Sequence, residues 1–174
     1  ETLQGPTTSQ DDIGSLQAGD YTIIVSDQNG CSVSQTITVD EPEPLFVSET
    51  HSDYNAYGVS CYGENDGWID ITVEGGTGIY NYQWLDSSGS LISENEDLNN
   101  LQDGIYSVIV TDSNGCTYEI FIEITSPSYL ELELEFSDAS GYGLACFGDM
   151  DGFINTIVSG GTGQYVWEWN TGDT

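Results

Sequence analysis

What most constrains the fold of this chain is that it repeats. SDQNGC at 26–31 returns as TDSNGC at 111–116, a shift of 85 residues. The same shift carries CYGENDG (61–67) onto CFGDMDG (146–152), GGTG (75–78) onto a second GGTG (160–163), and LQAGDY (16–21) onto LQDGIY (101–106). Four separate blocks at one period identify a single supersecondary unit copied along the chain. Proline-containing stretches, EPEP at 41–44 and SPS at 126–128, fall at equivalent places and mark short joints. The chain therefore divides into the C-terminal half of one unit (1–42), a complete unit (43–127) and the N-terminal half of a third (128–174).

Inside the unit the hydrophobic pattern alternates, as it must when successive strand side chains point to opposite faces. Ile69, Ile71 and Val73 share one face, as do Tyr80, Tyr82 and Trp84, then Tyr106, Val108 and Val110, then Tyr118, Ile120, Ile122 and Ile124. Leu130, Leu132, Leu134 and Phe136 alternate with Glu131, Glu133 and Glu135, which predicts a strand with one face in the core and one in water. Asn29-Gly30 and Asn114-Gly115 are the pair that tolerates positive φ in a tight hairpin. No stretch has a helical period with caps. Several short strands in a unit of about 85 residues predict an all-β fold of tandem immunoglobulin-like β-sandwich repeats. Leu101, Gly104 and Tyr106, repeated as Leu16, Gly19 and Tyr21, fit a tyrosine corner, in which the hydroxyl returns to the backbone of the preceding turn.

Charge narrows the partners. The chain holds 30 Asp and Glu, one His and no Lys or Arg, for a formal net charge of −30. Nucleic acids and anionic membrane surfaces are bound through Lys and Arg, so neither is expected as a partner. No Lys or Arg salt bridge can form, and self-repulsion on this scale favours cations and salt as stabilisers. Disorder is the other reading of a very acidic chain, but 37% apolar and 11% aromatic residues in alternating runs argue for a folded one. No apolar run approaches the roughly 18 residues of a spanning helix, so no membrane insertion is expected in this segment.

The order CxGxxDG, GGTGxYxYxW, LxxGxYxVxVTDxNGC, then a strand ending near Pro, resembles the SprB repeat of large surface adhesins from gliding Bacteroidetes. Here it reads CYGENDGWIDITVEGGTGIYNYQW, LQDGIYSVIVTDSNGC and TYEIFIEITSP. The resemblance implies a secreted, cell-surface, outer-membrane-associated protein exported by the type IX route and serving adhesion or gliding. Its partners would be neighbouring repeats, other copies in a fibre, or polysaccharide. The absence of Lys and Arg departs from the family, and a long fibre other than a motility adhesin could use the same module.

Cys31, Cys61, Cys116 and Cys146 recur once per block, and exported β-domains use cysteine mainly for disulfides. Repeat symmetry disfavours Cys31–Cys116 with Cys61–Cys146. Cys61–Cys116 lies within one unit and is the pairing favoured by the sequence, although in a standard sandwich the start of the second strand and the last hairpin lie at opposite ends. Cys31–Cys61 with Cys116–Cys146, or links to units outside these residues, are the alternatives. No CxxC or Cys/His set suggests zinc.

No cofactor is required by any motif. Calcium takes carboxylate, amide and carbonyl oxygens, and Glu64, Asp66, Asp149, Asp151, Asp112 and Asp27 lie in loops that could supply them. The competing reading is that Asp and Asn form turns by bonding their own backbone. Trp68, opposite Ile69, is the aromatic residue expected at the surface and a candidate for sugar stacking; the other alternating aromatics read as core. His51 is the only His, and Phe136 holds its place one period on. A catalytic triad would rest on His51 alone, so the chain reads as a non-enzyme.

Overall fold

A computed structural model describes residues 12–170; the start of the 1–42 unit and the last four residues of the 128–174 unit lie outside the described residues. Among the described residues every regular element is a β-strand, every strand pairing is antiparallel, and no sheet closes on itself. The chain forms two compact units that divide between Glu43 and Pro44.

The first unit is a hairpin of β1 (Gly19–Ser26) and β2 (Ser32–Val39), in register from Gly19 opposite Val39 to Ser26 opposite Ser32. Its apolar side chains, among them Ile23, Val25 and Ile37, stay exposed.

The second unit starts with β3 (Phe46–His51), β4 (Gly67–Glu74), β5 (Asn81–Leu85), β6 (Leu91–Ser93), β7 (Leu98–Leu101), β8 (Gly104–Thr111) and β9 (Thr117–Ile124). They build a three-stranded sheet ordered β3-β4-β7 and a four-stranded sheet ordered β6-β5-β8-β9. One buried cluster draws on both: Val47, Ile69, Ile71, Leu98 and Leu101 from the first, and Trp84, Val108, Val110, Ile122 and Ile124 from the second. Alternation makes this possible, since in β4 Gly67, Ile69 and Ile71 are buried while Trp68, Asp70 and Thr72 are exposed. Trp84 is fully buried, and its indole Nε1 donates to the carbonyls of Asn95 and Glu96 at 3.0 and 3.2 Å, so its burial leaves no orphaned donor.

The same unit continues into β10 (Glu131–Phe136) and β11 (Ile154–Ser159), a hairpin equivalent to β3 and β4. Here the sequence expectation needs correction. The strand forms, but neither face is in a core: Leu130, Leu132, Leu134 and Phe136 are all at least half exposed. The side chains that share the core with the equivalent strands of the complete unit come from β5, β8 and β9, and no strand follows β11 among the described residues. Full burial of an aliphatic side chain stabilises by roughly 1.5–3 kcal/mol, and this hairpin goes without that contribution.

The repeat holds at the level of single hydrogen bonds. Ser52 Oγ donates to the Gly58 carbonyl and accepts from the Trp68 amide; Ser137 does the same with Gly143 and Phe153. Tyr80 donates to the Gly75 carbonyl and Tyr165 to that of Gly160, both at 2.6 Å. The Cys61 carbonyl accepts from Glu64 and that of Cys146 from Asp149, both at 3.2 Å, so the two cysteines occupy like surroundings. The tyrosine corner is present twice, with Tyr106 donating to the Gln102 carbonyl at 3.0 Å and Tyr21 to that of Gln17 at 2.9 Å.

Candidate functional site

The recurring motifs gather at the two ends of the complete repeat. At the end where β3 begins, Phe46 lies opposite Glu74, and Gly76 of the GGTG turn lies against Leu45. The NGC turn between β8 and β9 meets this same end. The Ser113 amide donates to the Thr77 carbonyl at 3.0 Å, and Asp112 Oδ2 accepts from both the amide and the hydroxyl of Thr77 at 2.9 and 3.0 Å. We call this the entry pole. At the other end, where β9 leaves, Gly67 pairs with Leu101, and the Gly58 and Val59 amides both donate to the Thr125 carbonyl. The CxGxxDG loop follows directly, closed by the Ser60 amide on Asp66 Oδ1 at 3.1 Å. This is the exit pole.

Asp112 is the residue whose role the sequence did not reveal. Besides Thr77 it binds its own turn, Oδ1 accepting from the amides of Asn114 and Cys116 at 2.9 and 2.8 Å. Burial pushes its pKa upward, but the amides of Cys116, Thr77 and Asn114 and the Thr77 hydroxyl outweigh this and hold the carboxyl below its ordinary value. The turn itself differs slightly from the Asn-Gly expectation: Gly115 and Gly30 have φ near +85°, at 85° and 87°, while neither Asn has positive φ. With the Gly115 amide on the Asp112 carbonyl, this is a turn closed by a glycine bulge rather than a two-residue loop.

The other acids named from the sequence mostly serve their own loops. Asp27 Oδ1 accepts from the Asn29 and Cys31 amides, and Asp151 Oδ1 from the Ala145 amide. The Asp66 pKa is lowered, first of all by its side-chain hydrogen bond with Ser60. Glu64 and Asp149 are exposed. No group of three or more His, Cys, Asp or Glu placed to hold a metal ion occurs among the described residues. Cys31, Cys61, Cys116 and Cys146 are free and exposed. Cys61 belongs to the exit pole and Cys116 to the entry pole, with the eight residues of β9 between those poles. Trp68 is 38% exposed on the outer face of β4. His51 Nδ1 lies 2.9 Å from Glu49 Oε2 on the surface of β3.

Comparison with known families agrees with the motifs. The SprB repeat family model matches residues 58–89 and 144–174. Two segments of the chain match the SprB repeat. Each matched segment begins near the exit-pole loop and runs through the GGTG turn and the YxW block. The β8–β9 hairpin, with its tyrosine corner and NGC turn, lies outside the matched segments. The SprB repeat is a structural repeat found in cell-surface proteins, not an enzyme family. No curated protein matches the chain. No helix among the described residues is long and apolar enough to cross a membrane.

Proposed function

We propose that this chain is a stretch of an extracellular array in which immunoglobulin-like sandwich units stack pole to pole, projecting the adhesive part of a large surface protein. The sandwich reading is supported by two sheets that share one core and by the tyrosine corner at the β7–β8 turn. The observation that carries the array reading is the joint after the complete unit. Chain entry and exit of the complete unit lie at opposite poles, which supports an in-line path from this unit into the one after it. At that joint Pro127 is fully buried, and Tyr62 of the exit-pole loop packs edge-on against Tyr129 of the next repeat, ring centroids 5.9 Å apart. A buried proline and an aromatic contact restrict bending at the joint, as a spacer requires.

An adhesive role, with gliding and type IX export, follows from the SprB resemblance, and polysaccharide is the ligand class that an exposed Trp68 would suit by stacking. Small-angle scattering on proteins with increasing numbers of repeats tests the array: the maximum dimension grows by a constant increment per repeat. A particle that grows in width instead sinks the stacking. Beads coated with the purified chain test adhesion, which a Trp68→Ala variant weakens if the tryptophan faces the ligand.

A further inference from the structure

We propose that a disulfide staples each joint of the array, joining the CxGxxDG-loop cysteine of one repeat, Cys61 in the complete unit, to the NGC-turn cysteine of the repeat that follows, the counterpart of Cys116. The inference rests on the pole-to-pole reading above and adds a covalent bond to it.

Within one repeat the two thiols cannot meet. Cys61 lies three residues past Gly58, whose amide bonds Thr125 at the end of β9, while Cys116 immediately precedes Thr117 at its start. Eight strand residues at about 3.3 Å each separate the poles, whereas a disulfide needs Cα atoms within roughly 4.4–6.8 Å.

Across the joint they converge. Tyr62, the neighbour of Cys61, touches Tyr129 of the next repeat. Tyr129 lies under the next GGTG turn: a Cβ added to Gly160 would fall 1.9 Å from its carbonyl oxygen, and the Gly161 amide donates to the Ser128 carbonyl at 2.9 Å. In the complete unit that turn is clamped to the NGC turn through Thr77, Asp112 and Ser113. The following repeat's NGC cysteine therefore sits at the pole that Tyr62 contacts. Both cysteine positions are exposed rather than packed into a core, as a bond between repeats requires. With 30 acids and no Lys or Arg, adjacent repeats repel and no Lys or Arg ion pair can hold them, so a covalent tie opposes a force that the sequence itself creates.

Bond formation removes two protons and two electrons from the two thiols. The acceptor is the disulfide of a thiol–disulfide oxidoreductase, which leaves as a dithiol; oxidised glutathione serves the same role in vitro.

The complete unit contains its whole core, from Val47 to Ile124, so two head-to-tail copies of residues 43–127 form a suitable protein. A variant with Cys116→Ser in the first copy and Cys61→Ser in the second keeps only the cross-joint pair. With oxidised glutathione both its thiols become resistant to alkylation and one interpeptide link appears in non-reducing mass spectrometry. The converse variant, Cys61→Ser in the first copy and Cys116→Ser in the second, keeps two alkylatable thiols. If the first variant stays reduced, or if Cys61 and Cys116 of a single unit close on each other, the staple is overturned. Scattering on the reduced protein separates the two readings: an elongated particle with unreactive thiols removes only the staple, while a compact one removes the stacking beneath it.

Discussion

Asp112 does for the entry pole what a buried metal or disulfide does in other small domains, using two hydrogen bonds from Thr77, 35 residues away, and two from its own turn to tie the two turns together. Asparagine in its place presents an NH2 group to amides that need an acceptor, and such a buried mismatch is destabilising. The pH dependence follows from the direction of the shift. Because the folded carboxyl titrates below its unfolded value near 3.9, its stabilisation is present above that value and is lost as pH falls through the lowered folded one. Asp112→Asn is therefore expected to melt lower than the wild type at pH 7, with the gap narrowing as pH falls below the unfolded carboxyl value of about 4, as followed by circular dichroism. A gap of the same size at every pH down to acid unfolding argues against this role. Gly58 is a second residue set by packing. An added Cβ would meet Ile124 Cγ2 at 2.8 Å and the Ile124 Cα and Thr125 N at 3.1 Å. Because two of those three atoms are backbone, Gly58→Ala is expected to destabilise by about 1–3 kcal/mol in urea denaturation. An unchanged midpoint would show that β9 can move aside.

Strands were legible in the sequence where one face is buried by a long partner. In β4 and β9, Ile69, Ile71, Ile122 and Ile124 alternate with exposed or half-buried side chains, and in β8 the apolar Val108 and Val110 flank half-buried Ile109, so the period of two shows directly. The short strands β6 and β7 were not legible, because LIS and LNNL are too brief for alternation and are strands only through pairing with β5 and β4. The pole clamp was invisible for a related reason: Thr77 and Asp112 become partners only once two sheets fold together. The YxW block shows how far partners decide. NYQWL forms β5 between β6 and β8, whereas its counterpart at 166–170, with Trp167 and Trp169 exposed, forms no strand. The pattern is the same, but the third repeat has no described strand to pair with it. Hydrogen exchange should find amides of 81–85 strongly protected and those of 166–170 exchanging near the rate of an open chain. Equal protection would mean that the block forms a strand without its partner.

At the scale of the whole molecule the governing term is charge. A formal −30 on 174 residues with no Lys or Arg makes every close packing of strands and repeats an approach of like charges. Screening shortens the reach of that repulsion from about 30 Å at 0.01 M salt to about 3 Å at 1 M, which in the second case is less than the spacing between neighbouring strands. The melting temperature should therefore rise steadily with sodium chloride over this range, opposite to a fold held by surface ion pairs, which salt weakens. A divalent cation adds a separate effect only if it finds fixed ligands. The Asp66, Asp112 and Asp151 carboxylates are already acceptors for their own loops, leaving Glu64 and Asp149 as the exposed oxygens beside the CxGxxDG turns. Scanning calorimetry with calcium chloride against sodium chloride at matched ionic strength distinguishes the two effects. If charge screening governs, the two salts give the same melting temperature, and a chelator leaves it unchanged. A calcium-specific increase that Glu64→Gln removes would instead make the exit-pole loop a calcium site, and screening would then no longer be a sufficient account of how this array withstands its own charge.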